Sequence, residues 1–382
     1  MRIVLGMAGC LGYELGGGHW TWALQYVMAL RQAGCEILCL AAEESSGDHA
    51  RDESDAQRLV RRLREYFPEI ECCVLCNRKG SPQSLSTAQI YGMRRQEFEK
   101  WAASSDLLWN LCHMVRKPLL DLFPCKVLVD VDPGYLQLLD LQGDLGIREH
   151  DRCMTVGLNV GHETCEVPLL GRHWTTFPPF LFLEFWNQPC DRRPEAPLTS
   201  ISHWNWDKGV YWKDRRLSTS KRDAYLALID LPVLSGRRMT LAANLDDPED
   251  KTGDKKLFES HGWTMREAWE VAPTPASYKE FIASSLAEIC APKPIYVDLK
   301  TGWVSDRSAG YLASGRPVLM KDTGISRYLP VGLGLLTFAT VEEAAERIRE
   351  MDCDYPRHSR AARAIAEEYL DSRRVVPRML DA

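Results

Sequence analysis

Two stretches of this sequence hold residues whose types and spacing could bind or transfer a phosphate-bearing group. In TGWVSDRSAGYLASGRPVLMKDTG (301–324), Asp306 and Ser308 are suited to cap a helix over SAGYLAS that stops at Gly315. RPVLMKD then reads as a strand, and TGISRYL as the start of another helix. Two loop-to-helix junctions would face one sheet edge. Helix N-termini attract anions through free N–H groups and the helix dipole. Lys293, Lys300 and Arg307 supply point charge nearby, and a diphosphate is the natural occupant.

The second stretch is GMAGCLGYELGGGHW (6–20). Its Gly6, Gly9 and Gly12 imitate a dinucleotide fingerprint, with Glu43 or Glu44 as the ribose carboxylate, and that would make an NAD-dependent oxidoreductase. The fingerprint needs its helix to open at those glycines, whereas helical periodicity starts only near Gly18. The other reading is a long glycine-rich loop that carries His19 to a helix start. An imidazole titrates near neutrality and suits a general base. Asp132, at the end of VLVDVDPG, is the first choice to orient it, and Asp106 the alternative.

These residues need a scaffold. RIVLGMAG, CEILCLAAE, IECCVLC and CKVLVDVDPG read as strands, separated by helices at WTWALQYVMALRQAG and DAQRLVRRLREYF, the first stopping at Gly34. This alternation predicts an α/β fold with a parallel sheet over residues 1–177. Residues 178–198 follow as a linker, because five prolines between 178 and 200 break regular structure. The rhythm restarts over 199–360: strand RRMTLAAN, helix DKKLFESHG, strand REAWEVA, helix PASYKEFIASSL, strand EICAPK. A long terminal helix is expected through 361–382. NLDDPEDKTGDKK reads as a solvated loop.

The 382 residues fit two domains. At a net charge of −6 the chain has no bulk attraction for nucleic acid. No apolar run reaches the roughly 18 residues of a membrane span, and the N-terminus lacks a signal-peptide layout. Thirteen scattered cysteines imply reduced thiols and a cytoplasmic location. The C-x-x-C within CCVLC (Cys72, Cys73, Cys76) reads as buried strand cysteines.

The segment 278–345 resembles the C-terminal half of GT-B glycosyltransferases, most closely at ASGRPVL and the Thr-Gly loop after it. ISHWNWDKGVYW and the terminal helix resemble the fold more weakly. The resemblance implies two Rossmann-like domains facing a cleft, with the last helix crossing back to the first domain. It implies a UDP-, dTDP- or GDP-sugar donor, a small-molecule acceptor, no bound cofactor and no essential metal. Donor contacts would come from Gly17, Gly18, Ser202, Lys293, Lys300, Gly302, Asp306, Arg307, Ser308, Asp322, Thr323 and Gly324, with base contacts over Val271 to Thr274. His19 would deprotonate the acceptor, with Asp132 behind it, and His162 and Glu163 would line the acceptor side. Glu163 is a rival base. Retaining members of the fold carry a ribose-binding Glu where this chain has Gly310. Asp306 or Asp322 would have to substitute, and the departure leans toward inversion. In the other large glycosyltransferase architecture, a D-x-D such as Asp130–Asp132 binds Mg²⁺ or Mn²⁺. An epimerase of the same fold and a non-catalytic nucleotide-binding relative are the remaining alternatives.

Overall fold

The structure, a computed structural model, describes residues 1–7, 16–187, 194–204, 209–245 and 253–382. Among these, the first α/β unit is built on strands β1 (Arg2–Gly6), β2 (Glu36–Glu44), β3 (Glu71–Asn77), β4 (Gln89–Tyr91), β5 (Leu107–Leu111), β6 (Lys126–Asp130), β7 (Arg152–Thr155) and β8 (Trp174–Thr176). They pair in the order β4-β3-β2-β1-β5-β6-β7-β8. All pairs are parallel except β3–β4. β1 is a continuous apolar run because both faces of a parallel sheet are covered.

The two-residue period of a strand settles the cysteine motif. Cys72, Val74 and Cys76 join one core, while Cys73 and Leu75 join the core on the opposite face. The two members of the C-x-x-C therefore point apart. Burial pushes the Cys72 and Cys76 thiols up to about 12, so both stay protonated.

The second unit holds β9 (Leu198–Ser202), a hairpin of β10 (Val210–Trp212) and β11 (Arg215–Leu217), then β12 (Met239–Ala243), β13 (Trp263–Glu267), β14 (Glu288–Cys290), β15 (Val318–Lys321) and β16 (Leu335–Phe338). Apart from the hairpin they form one parallel sheet, ordered β13-β12-β9-β14-β15-β16. The winding reverses between β1 and β5 in the first sheet and between β9 and β14 in the second. Ligands of open α/β sheets bind in the crevice at such a reversal, beyond the strand C-termini.

Three elements differ from the sequence reading. REAWEVA is a strand only to Glu267, whose carboxylate then accepts the Trp269 N–H and opens the short helix Ala268–Val271. TGISRYL makes only a three-residue 3-10 turn, Ile325–Arg327, after the left-handed Gly324. The terminal helix is two helices, Tyr355–Tyr369 and Ser372–Asp381, divided where Asp371 caps the second. The first stays on the second unit, where Ser359 Oγ donates to the Gly315 carbonyl at 2.8 Å. The second packs on the first unit, where Ser372 Oγ donates to Gln32 Oε1 at 2.8 Å. Between them, Leu181 of the connecting segment exchanges backbone hydrogen bonds with Leu370 and Ser372. No helix among the described residues is long and apolar enough to cross a membrane.

Candidate active site

A cleft of about 420 Å³ opens where the two sheet edges face each other. From the first unit it is lined by residues 16–19, following β1, by Cys112 after β5, and by Val131 and Asp132 after β6. From the second it is lined by Ser202 at the end of β9, His203 after it, Asn244 after β12 and Lys293 after β14. Both winding reversals therefore contribute.

The helix Gly17–Gln32 starts at this cleft. Its N-cap is Gly16, which has no side chain to satisfy the first N–H groups, and no acidic residue sits in the first turn. The positive end of the dipole is thus uncompensated by the helix's own residues. Gly17 N–H donates to the Ala272 carbonyl of the second unit at 2.9 Å. A Cβ at Gly17 would stand 2.3 Å from the Thr274 carbonyl oxygen, so only glycine permits this approach. His19, in the same first turn, lines the cleft. Burial, then the nearby His203, lowers its pKa to about 4, so the ring is neutral at physiological pH.

Three cations converge on the opposite wall: Lys221, Lys293 and Arg307. Lys293 Nζ lies 2.7 Å from Asp132 Oδ1, an ion pair that spans the two units. Tyr296 donates to the same oxygen. Arg307, at the start of the Asp306–Ala313 helix, is buried. Its Nε lies 2.5 Å from Glu288 Oε1, and Nη1 donates to the Ile201 carbonyl at 2.7 Å. Lys221 has no carboxylate partner among the described residues. It sits 5.2 Å from the Trp303 ring centre. Burial, then repulsion from Arg307 and Lys293, lowers its pKa to about 8. A bound anion would relieve both the burial and the repulsion that disfavour the Lys221 charge.

The cleft gathers Gly17, Gly18, His19, Asp132, Ser202, Lys293, Asp306 and Arg307 from the residues singled out in the sequence. Asp306 is the first residue of the helix and not its N-cap. Ser305 is the N-cap, accepting the Arg307 N–H at 3.1 Å, while the Asp306 carboxylate faces the cleft. Ser308 is fully buried. Of the stretch Val271 to Thr274 expected to meet a base, Ala272 lines the cleft, and Ala268 and Trp269 line it just upstream.

Other singled-out residues lie on the seam between the units, outside the cleft. The Lys300 carbonyl accepts from Asn159 Nδ2 at 2.8 Å, and Gly302 packs against Asn159. Asp322 Oδ1 accepts the Gly324 N–H at 2.9 Å, and Thr323 Oγ1 donates to the Trp303 carbonyl at 2.6 Å. His162 Nε2 pairs with Arg327 at 2.9 Å, and Glu163 is exposed beside it. This loop therefore braces Trp303 from behind.

Asp106 stands at the N-terminal edge of β5, away from the cleft, accepting the Arg2 N–H at 2.7 Å. Asp130 is buried, its oxygens taken by Asp132 N–H, Gln137 and Thr155. The two carboxylates of the D-x-D thus have separate partners. Among the described residues no cluster of His, Cys, Asp and Glu could hold a metal ion. Asp254, in the stretch read as solvated, is buried and paired with Arg222 at 2.7 Å. Gly9 and Gly12 fall outside the described residues, as do residues 205–208 of the stretch ISHWNWDKGVYW.

Lys221, Tyr278, Tyr296 and Trp303 line the cleft without having been singled out. A signal for Lys221 was present: Ser220 is an N-cap, so Lys221 opens a helix at a loop junction.

No family model and no curated protein matches the sequence. Solved structures do. Anabaena Alr3699/HepE, solved in complex with UDP and glucose, shares 13% identity at a TM-score of 0.57, over 100% of this chain and 98% of that one. AviGT4, a glycosyltransferase involved in avilamycin A biosynthesis, shares 12% identity at a TM-score of 0.53, over 100% of this chain and 96% of that one. Identity this low carries the architecture alone, and on that evidence the chain has the GT-B fold.

Proposed function

We propose that the chain is a glycosyltransferase that moves a sugar from a nucleoside-diphosphate sugar to an acceptor hydroxyl. The observation that carries this reading is the convergence of Lys221, Lys293 and Arg307 opposite the glycine-led helix start at His19. The cations and the helix dipole would hold the diphosphate and stabilise the charge that grows on it as its bond to the sugar breaks. The fold agrees, since HepE was also solved in complex with UDP-glucose.

In the transfer, the acceptor oxygen forms a bond to the anomeric carbon and the bond to the diphosphate breaks. His19 takes the acceptor proton. A neutral imidazole is the form that can do so, and a diphosphate bound beside it would raise its pKa from about 4 and so strengthen it as a base. Asp132 would position Lys293 on the leaving group, since its carboxylate is bound to Lys293 and Tyr296. We further propose that the reaction inverts the anomeric centre and needs no divalent metal, the cations serving in its place.

The first test is thermal shift with UDP, dTDP, GDP, ADP and NAD(P), each with and without Mg²⁺. Selective stabilisation by one nucleoside diphosphate supports the reading and names the base for an acceptor screen. Stabilisation by NAD(P) alone would overturn it. His19→Ala should retain nucleotide binding and lose transfer, and proton NMR of the product reads the anomeric outcome.

A further inference from the structure

A smaller chamber of about 40 Å³ lies beside the cleft. The two share Trp22, Val131, Tyr278, Trp303 and Asp306, so they adjoin at these side chains. The chamber reaches the segment joining the two units, where Phe180, Leu181 and Trp186 line it. His19, Trp22 and Gln25 follow one another at helical spacing, so one helix face runs from the cleft into the chamber.

Most of the lining is apolar, but two of its polar groups are unusual. Gln25 is 3% exposed, and its Oε1 accepts the Phe182 N–H at 2.8 Å. That bond fixes which end of the amide is oxygen, because a backbone N–H can only donate. The Gln25 Nε2 donor is left without a partner. Trp186 is 2% exposed, and its Nε1 donor also has no partner. Buried donors in native proteins are nearly always paired. Two unpaired in one chamber mark a place for an oxygen. At roughly 10–15 Å³ per water, the space fits a group of about three heavy atoms.

We propose that this chamber receives an uncharged, oxygen-bearing arm of the sugar substrate, of hydroxymethyl size. Its oxygen accepts from the Gln25 amide and the Trp186 indole. That the substrate is a sugar rests on the glycosyltransferase reading above. The arm can belong to the transferred sugar or to the acceptor, since the chemistry is the same.

Trp186→Phe and Gln25→Leu test it. Trp186→Phe removes a donor with no partner in the protein, and Gln25→Leu gives an independent second variant should the first fold poorly. The probes are UDP, dTDP, GDP and ADP, each alone and as its glucose conjugate, and methyl β-D-glucoside. Calorimetry on the nucleotides and saturation-transfer NMR on the glucoside read binding. A donor-sugar arm predicts that the conjugate binds the variants about fivefold to tenfold more weakly while the bare nucleotide is unaffected. An acceptor arm predicts the same loss for the glucoside alone. If neither conjugate nor glucoside is weakened in either variant, the chamber is not a sugar subsite. If no nucleotide binds the wild-type protein, the donor reading fails, and the glucoside still decides the chamber.

Discussion

Gly310 lies against the Trp186 ring: a Cβ at Gly310 would stand 2.6 Å from the ring's Cη2. Trp186 belongs to the segment joining the two units, and Gly310 to the helix Asp306–Ala313 at the cleft. The missing ribose carboxylate at this place thus has a steric counterpart. The indole occupies the space into which a side chain at position 310 would grow.

Gly310→Glu should therefore destabilise the protein by about 1–3 kcal/mol through overpacking, despite glycine's poor helix propensity. It should not tighten nucleotide binding. Gly310→Glu with Trp186→Ala should recover part of the loss, because the clash is removed. Urea denaturation of the three variants checks this. Additive losses in the double variant would show that the two residues do not compete for space.

Gly17→Ala addresses the contact between the units. The methyl would meet the Ala272 and Thr274 carbonyl oxygens at 2.5 and 2.3 Å, and backbone cannot swing aside as a side chain can. The expected cost is about 2 kcal/mol, together with weaker nucleotide binding as the cleft is forced open. Differential scanning calorimetry and a nucleotide titration read the two effects. Wild-type values for both would mean that the units part freely at this point.

Arg307 is a cleft residue whose charge is already matched, by Glu288 beneath it. Glu288 is fully buried and its Oε2 has no partner. Arg307→Met should strand that carboxylate and cost about 3–5 kcal/mol. Adding Glu288→Gln should restore much of the stability and none of the nucleotide affinity. Denaturation separates the structural share of Arg307 from its share in binding.

His19 gives a stability signature independent of any substrate. Its folded pKa is depressed to about 4 from 6.5. The unfolded chain therefore takes up a proton first as pH falls, and stability declines between about pH 6.5 and 4 while staying flat above 7. The full shift corresponds to about 3 kcal/mol, an upper bound because the ring is partly exposed. His113, also lowered to about 4, contributes to the same decline, so His19→Gln should make that part of the pH–stability curve shallower without flattening it. An unchanged curve would place the ring in open solvent.

Much of this architecture was legible in the sequence. β1, β2, β3 and β6 are apolar runs, and Gly34 ends the first helix as glycines do. The tail was harder, because Asp371 interrupts a continuous helical pattern and only tertiary contact with Leu181 shows that the chain turns there. Site residues divide along the same line. Lys293 and Arg307 could be placed by their position after a strand or at a helix start. Lys300, Asp322 and Thr323 have equally suggestive types, yet the contact with Asn159 draws their loop onto the seam. Tyr278 and Trp186 read as ordinary core aromatics, and nothing local says that one core borders a chamber.

Lys221 makes nucleotide binding depend on pH. In the free protein it loses its proton at about pH 8, because burial and then Arg307 and Lys293 disfavour its charge. A bound diphosphate favours that charge and raises the pKa again. Binding near pH 8.5 must then take up a proton, and affinity must fall as pH rises through 8. Calorimetry in two buffers of different ionisation enthalpy measures the uptake directly. Lys221→Met should abolish it and weaken binding at pH 7, where the wild-type lysine is mostly charged. Proton uptake that survives in Lys221→Met would assign the titration to another group and remove Lys221 from the anion site.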